Sequence, residues 1–248
     1  MSDNAQGFSL FMTLKDASSM PAVQALLEDK TQDLLDGLAG IQSLHFARFL
    51  PLGEFKRVLF VAEIDGERDA FIDAIASGLH AVFTPLLAFM EGAPQEAVDK
   101  DPAAFRKYVQ DRVGGDMSVF CGYGEKTAQA IRTEHGTQPA MLFAPKDSDP
   151  FTTKRVAGAF ALLMKLREPQ KLLELAGRLL DPRIKNRIDA ALNSLDYVHY
   201  ARFLPLDVGA LMIITEFDGV MQDYVMDFAA ALDREFSMIL SYMEGGPT

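Results

Sequence analysis

The hydrophobic and polar positions of this 248-residue chain follow one pattern twice. The stretch HFARFLPL at 45–52 returns as HYARFLPL at 199–206. One residue is then lost from the following loop, and VLFVAEIDG at 58–66 matches LMIITEFDG at 211–219. The match continues through apolar residues spaced three and four apart and ends at MEGAP (90–94) and MEGGP (243–247). Similarity at a nearly constant offset indicates two copies of one structural unit.

Each copy predicts two strands followed by a helix. The aromatic and aliphatic run of the first strand ends at a Pro, which has no N–H for a sheet ladder. A short loop and a second apolar strand complete a β-hairpin. Asp65 and Asp218 then stand where a helix N-cap is expected, and the helix shows one apolar stripe. Gly92 and Gly245, each with Pro two residues later, predict left-handed C-terminal caps.

The segments before each hairpin extend the repeat to a βαββα order. FSLFMTLK (8–15) and AMLFAPKD (140–147) are strand-like, while 20–38 and 153–195 carry helical spacing, the latter with Pro breaks. In the first half, a helix at 103–113 and the strand MSVFCGYG (117–124) complete the ferredoxin-like order βαββαβ. The sequence therefore predicts an α+β fold of two tandem ferredoxin-like repeats with antiparallel sheets, at residues 1–137 and 138–248.

The second repeat shows no obvious fourth strand. Its sheet edge must be open, covered, or paired with a strand from elsewhere, and open edges favour association. We therefore expect this edge to face the other repeat or a second subunit, which would give a homodimer.

Composition narrows the class of partner. The net charge of −11 argues against nucleic acid binding, which needs a basic surface. Positions 154–187 nevertheless carry nine basic and three acidic residues, which indicates a solvated helix face, a surface complementary to an acidic one, or an anion site. The chain shows no signal peptide pattern and no apolar run of membrane-spanning length, so we expect a cytoplasmic protein that does not enter a membrane. The single Cys121, in SVFCGYG, is interpreted as a buried thiol.

With HFARFLPL, E-x-DG and MEG-x-P each present twice, the architecture resembles the dimeric α+β-barrel superfamily, in which two ferredoxin-like sheets pack face to face. The resemblance covers nearly the whole chain and implies an α+β barrel with a space between its sheets. That superfamily includes cofactor-free monooxygenases, haem proteins and non-catalytic stress-response proteins. It therefore implies a small apolar or aromatic ligand, haem among the candidates, although no haem-binding motif is matched here.

His45 and His199 are the repeated residues with the clearest chemistry. Strand alternation places His45 with Ala47 and Phe49 on one face, and Phe46 with Arg48 on the other. A His in an inter-sheet space could ligate a metal or act as a general acid or base. The alternative is a hydrogen-bonded scaffold residue, which duplication preserves equally well.

Arg48 and Arg202 each have a repeated acidic residue on the neighbouring strand, Glu63 and Glu216. An Arg–Glu ion pair that ties the hairpin, or joins the repeats, is the favoured interpretation. An Arg clamp for a carboxylate substrate is the alternative.

GYGEKT (122–127) lacks the glycine spacing of a phosphate loop, so it predicts a tight turn with Thr127 near a helix start.

Two functions follow. The first is a ligand-binding α+β barrel, with oxidoreductase activity as one form of it, whose polar groups come from the repeated His and Arg. The second is a non-catalytic interaction or assembly module.

Overall fold

A computed structural model describes residues 5–115, 118–124, 126–135 and 155–247. The chain divides into two compact units, which are described separately. Unit 1 is Met1–Gly114 with Glu125–Leu142, and unit 2 is Gly115–Gly124 with Phe143–Thr248. The predicted boundary between residues 137 and 138 lies outside the described ranges.

The strands of unit 1 are β1 (Gln6–Thr13), β2 (Leu44–Leu52), β3 (Arg57–Ile64) and β4 (Val113–Gly114). Those of unit 2 are β5 (Ser118–Cys121), β6 (Arg155–Lys165), β7 (Val198–Leu206) and β8 (Ala210–Gly219). The helices of unit 1 are α1 (Met20–Asp29), α2 (Thr31–Ala39), α3 (Arg68–Gly78), α4 (His80–Leu87), α5 (Pro102–Gln110) and α6 (Ala128–His135). Those of unit 2 are α7 (Leu172–Leu179), α8 (Pro182–Asn193), α9 (Met221–Ala231) and α10 (Asp233–Leu240).

The strands form two antiparallel four-stranded sheets, ordered β2-β3-β1-β4 and β5-β7-β8-β6. This confirms the predicted α+β class and is consistent with two ferredoxin-like repeats. The three-strand cores β2-β3-β1 and β7-β8-β6 correspond in order and in sequence. Neither sheet closes on itself within the described residues, so there is no closed barrel. Face-to-face packing of the two sheets remains a prediction.

The fourth strands differ from the prediction. The segment assigned to the first repeat, β5, pairs with β7 of unit 2, with Cys121 opposite Tyr200. Unit 1 instead receives β4, two residues that pair with β1. The second repeat therefore has a fourth strand, and it comes from the N-terminal side of the repeat. A homodimer through an open sheet edge remains a prediction.

The first strand of the second repeat is also displaced. The sequence pattern predicts a helix over 155–165, yet these residues form β6, which pairs with β8 from Ala159 opposite Glu216 to Lys165 opposite Ala210. The predicted strand at 140–147 lies outside the described residues. An unbroken apolar run such as GAFALLM is typical of either a buried strand or a buried helix. Here the segment is a strand because it pairs with β8.

Helices cover one face of each sheet and bury every second strand residue there. In unit 1 the helix-side core takes Val58, Phe60, Ala62 and Ile64 from β3. Phe49, Phe60 and Phe83 lie 4.8–5.6 Å apart between ring centroids. Unit 2 builds its own core from β8 residues such as Ile213 and Phe217. The central strands are buried on both faces, because β3 is buried from Val58 to Ile64 and β8 from Ala210 to Phe217. Strand alternation places the residues between those of the helix-side core on the other face.

The predicted helix ends are wrong in position. Helix α4 ends at Leu87 with Ala88 as its C-cap, and α10 ends at Leu240 with Ser241 as its C-cap. Gly92 and Gly245 are left-handed, with φ of 62° and 70°, but they lie in the turns after these helices. The predicted helix at 20–38 is two helices, α1 and α2, which meet at Lys30.

No single helix among the described residues is long and apolar enough to cross a membrane. Helices α3 and α4 satisfy that criterion only together, across an 87° bend.

Candidate functional site

A β-bulge sets the position of both repeated histidines. In β2, Leu44 lies opposite Ile64 and Phe46 opposite Glu63, so His45 is the extra residue. In β7 the same shift occurs between Val198 and Tyr200, which makes His199 the extra residue. A bulge redirects the side chain that it carries, so the simple alternation predicted for His45 is wrong.

Each bulged His meets the Asp at the end of the next strand. In unit 1, His45 Nε2 lies 2.6 Å from Asp65 Oδ1. The other carboxylate oxygen, Oδ2, accepts a hydrogen bond of 2.7 Å from the N–H of Ala128, the first residue of α6. Asp65 therefore links the hairpin to the start of α6, where a helix favours negative charge. The side chains of His45 and Asp65 are only 2% and 13% exposed.

These contacts correct the role predicted for the two Asp residues. The N-cap of α3 is Glu67 and that of α9 is Val220, and neither Asp65 nor Asp218 caps the helix that follows it. The prediction for Thr127 is supported, because its hydroxyl accepts from the N–H of Ala130 in the first turn of α6.

The pair in unit 2 is more open and has an aromatic neighbour. His199 Nε2 lies 3.0 Å from Asp218 Oδ1, and the two side chains are 13% and 43% exposed. The ring of Tyr123 stacks on the imidazole, with centroids 4.9 Å apart and planes within 2°. Tyr123 follows β5, which is held beside His199 by the bond from Gly122 N to His199 O. The fourth strand of unit 2 thus brings an aromatic ring to the repeated His.

Electrostatics keep the Tyr123 phenol neutral. Burial raises the pKa of Tyr123 to about 12, and the negative charge of Asp218 adds to this effect. Tyr123 therefore offers a ring face and an O–H donor at neutral pH, and it does not act as a base.

The chemistry available in unit 2 is that of a carboxylate-oriented imidazole. An ionised carboxylate only accepts, so Asp218 holds the tautomer in which His199 Nε2 carries the proton. The other ring nitrogen, Nδ1, is then the proton acceptor. A His oriented in this way is the usual form of a general base.

The charged residues predicted for the site are buried on the sheet face opposite the helices. Arg48, Glu63, Arg202 and Glu216 are at most 8% exposed. Arg48 lies opposite Val61 while Glu63 lies opposite Phe46, so this Arg and Glu are diagonal neighbours on one face. Arg202 and Glu216 are diagonal in the same way in unit 2. Diagonal neighbours are within reach of long side chains, and the Arg–Glu ion pair itself remains a prediction.

In both copies Nε2 of the repeated His lies within hydrogen-bond distance of a carboxylate. A carboxylate bonded to one ring nitrogen orients a metal-ligating His as well as a base. The haem implied by the resemblance therefore remains a prediction. Among the described residues, no group of three or more His, Cys, Asp or Glu could hold a metal ion.

Sequence reasoning finds His199 and misses its two partners. The repeated E-x-DG pattern contains Asp218 but predicts a helix cap there. Tyr123 lies in GYGEKT, which predicts only a tight turn. The repetition of His and Asp at one spacing is the available signal for the pair, whereas no sequence signal places Tyr123 beside the second repeat.

No protein-family model matches the chain, and no curated protein matches it. One solved structure, described as "Putative monooxygenase" from Fusobacterium nucleatum, aligns with 99% of this chain and 90% of its own, at 11% identity and a TM-score of 0.40. Likeness at this level assigns neither fold nor activity, so the fold class rests on the strand order above.

Proposed function

We propose that unit 2 binds a small aromatic or apolar ligand beside Tyr123 and takes a proton from it with His199. The observation that carries the proposal is the difference between the two copies of one His–Asp pair. The unit 1 pair is enclosed and bound to α6, whereas in unit 2 Asp218 is 43% exposed and an aromatic ring covers the imidazole. Duplicated scaffold residues need no such divergence.

The ligand class follows from the groups around His199. A planar ring can pack against Tyr123 in offset or edge-to-face geometry, which contributes about 0.5–1.5 kcal/mol beyond burial. An acidic O–H or activated C–H on that ring would then face the imidazole base. Oxidoreductase activity of the kind found in the superfamily remains a hypothesis. Removal of a proton from the ligand by His199 is compatible with such activity.

The test uses para-nitrophenol, whose phenolate absorbs visible light. We expect the protein to bind this probe and to increase its phenolate absorbance below the pKa of the free phenol. His199→Gln should abolish the increase, and His80→Gln, on the exposed start of α4, is the matched control. An unchanged increase in His199→Gln would refute the proposal. Oxygen uptake with the bound phenol tests the oxidoreductase hypothesis separately.

A second candidate function, self-association, is supported by exposed apolar side chains. All four large hydrophobic residues recorded as exposed among the described ones lie in unit 2: Leu173, Leu180, Val225 and Met226. By the repeat alignment, Val225 and Met226 correspond to Ile72 and Asp73 of α3.

In unit 1 that part of α3 is covered. Ile72 is buried, and Arg106 of α5 pairs with Asp73. In unit 2 the corresponding Val225 and Met226 are 36% and 67% exposed. A second copy of α9, related by a twofold axis, would supply an apolar patch complementary to itself. Sedimentation velocity should show a dimer that Met226→Glu dissociates, and a monomer at all concentrations would exclude this candidate.

A further inference from the structure

A polar cleft of about 220 Å³ lies on unit 2, where the start of α7 meets the end of α10. Three cationic side chains line it, together with two hydroxyl groups and two carboxylates. The cations are Arg167, Lys171 and Arg178. None of its lining residues belongs to the His199 site.

Arg167 holds the chain that follows α10. Its guanidinium donates to the carbonyl oxygens of Gly246, at 2.9 Å, and Met243, at 3.3 Å. Both acceptors are neutral, so these bonds orient the guanidinium without cancelling its charge. A fixed cation with remaining N–H donors is suited to an anion.

The two carboxylates of the cleft have their own partners. Glu168 lies 2.6 Å from Lys171 Nζ, and Glu174 lies 3.6 Å from Arg178. Glu174 also accepts a hydrogen bond of 2.6 Å from the phenol of Tyr242. Three cations therefore face two carboxylates, and the cleft keeps an excess positive charge in a protein whose net charge is −11.

The same place in unit 1 provides an internal comparison. Lys15 N donates to Phe89 O there, as Arg167 N donates to Tyr242 O in unit 2. The bridge between Leu14 and Met90 likewise corresponds to that between Leu166 and Met243. These matched bonds align the two positions residue by residue.

The alignment shows that the second copy has more polar groups. Where unit 1 has Ser19 and Leu26, unit 2 has Lys171 and Arg178. The buried neighbours stay apolar, with Val23 and Leu175 both fully buried. The remaining differences are Glu174 for Ala22, Ser241 for Ala88 and Tyr242 for Phe89. The scaffold is thus the same, while five positions carry two cations, one carboxylate and two hydroxyls in unit 2 and one hydroxyl and four apolar side chains in unit 1.

We propose that this cleft binds a small anion through a phosphate or carboxylate group held by Arg167, Lys171 and Arg178. The side chains of Lys171 and Arg178 are 45% and 53% exposed, so both can turn from their glutamates toward a ligand. Ser241 supplies a hydroxyl donor at the edge. Burial and the bond to Glu174 raise the pKa of Tyr242, so its phenol keeps its proton and continues to hold Glu174 in place.

The test measures binding of inorganic phosphate and of acetate by calorimetry, with sodium chloride at equal ionic strength as the reference. We expect saturable binding of at least one of the two, and the stronger ligand identifies the anion class. Lys171→Ser and Arg178→Leu place the unit 1 residues in the cleft, and each should weaken binding about tenfold, because each removes one charged contact of about 1.4 kcal/mol.

The matched control is Lys185→Ser on α8. It removes the same charge from a half-buried ion pair with Asp189 that does not line the cleft. Full binding in this control, with loss in the two cleft variants, supports the proposal. No binding beyond the chloride reference, or equal loss in Lys185→Ser, would overturn it. Neither result bears on the His199 site, whose probe is a phenol and whose variant lies elsewhere.

Discussion

Replacing each repeated His by Ala should cost unequal amounts of stability. In His45→Ala, Asp65 would lose a 2.6 Å partner in a site that water reaches poorly, since the His45 side chain is 2% exposed. A hydrogen bond to a charged group contributes about 1.5–3 kcal/mol, and an unsatisfied buried carboxylate costs at least as much. We therefore expect the free energy of unfolding to fall by about 3 kcal/mol.

His199→Ala should be milder because water can replace the lost partner. Asp218 is 43% exposed, and the bond of 3.0 Å is longer. The remaining loss is the stack on Tyr123, about 0.5–1.5 kcal/mol, so the total should be about 1.5 kcal/mol. The expected difference between the two variants is thus about 1.5 kcal/mol.

Urea unfolding measures this difference, with hydrogen exchange to locate it. At a slope of about 2 kcal/mol per molar urea, the His45→Ala midpoint should lie roughly 0.7 M below that of His199→Ala. Exchange should rise in α6 for His45→Ala and in β5 for His199→Ala. His80→Ala, whose ring is exposed, is the control and should change little. Equal losses in the two main variants would refute the distinction between an enclosed pair and an open pair.

Three further predictions concern other parts of the fold. Folding raises the pKa of Tyr123 from 10.0 to about 12, so its stabilising contribution is present below pH 10 and is lost as the pH rises through the folded value. Two pKa units correspond to about 2.7 kcal/mol, which solvent screening of a half-buried ring reduces to about 1 kcal/mol. Urea unfolding at high pH should therefore show a smaller loss of unfolding free energy in Tyr123→Phe than in the wild type. Gly37→Ala should cost about 2 kcal/mol because its Cβ would lie 2.3 Å from the carbonyl oxygen of Gly78, whereas Gly40→Ala, with its nearest contact at 3.5 Å, should unfold near the wild-type midpoint. Met226→Glu, at a position 67% exposed, should change thermal stability by less than about 0.5 kcal/mol at concentrations where the wild type sediments as a monomer, and a larger loss there would show that Met226 packs in the core.

The repeated hairpins could be predicted from sequence because their information is local. Pro51 and Pro205 mark strand ends, and Gly92 and Gly245 mark left-handed turns that follow the helices. Strand β5 could not be assigned to a sheet in this way. Its apolar residues suit an edge of either sheet, and the choice depends on pairing with β7, more than 70 residues later in the chain.

The same limit explains what sequence reasoning misses in the candidate site. His45 and Asp65 are 20 residues apart, and a strand pattern without a bulge would have placed the His on a different face. The extra residue in the ladder directs it to the Asp. Tyr123 is 76 residues from His199 in sequence and reaches it only because β5 joins the second sheet. A site whose residues are brought together by long-range strand pairing cannot be recognised from local sequence patterns, even in a regular repeat.

The two copies of the His–Asp pair suggest how one scaffold contact could become a site. In both copies the pair ties a bulged strand to the end of its neighbour, which is a structural task. In unit 1 the second carboxylate oxygen is occupied by Ala128 N, so Asp65 has little freedom to serve a ligand. Asp218 is much more exposed, and the group beside its His is the ring of Tyr123. A fold that needs the pair for the hairpin therefore keeps it in both copies, and only the copy with an accessible carboxylate and an aromatic neighbour has the groups for proton transfer.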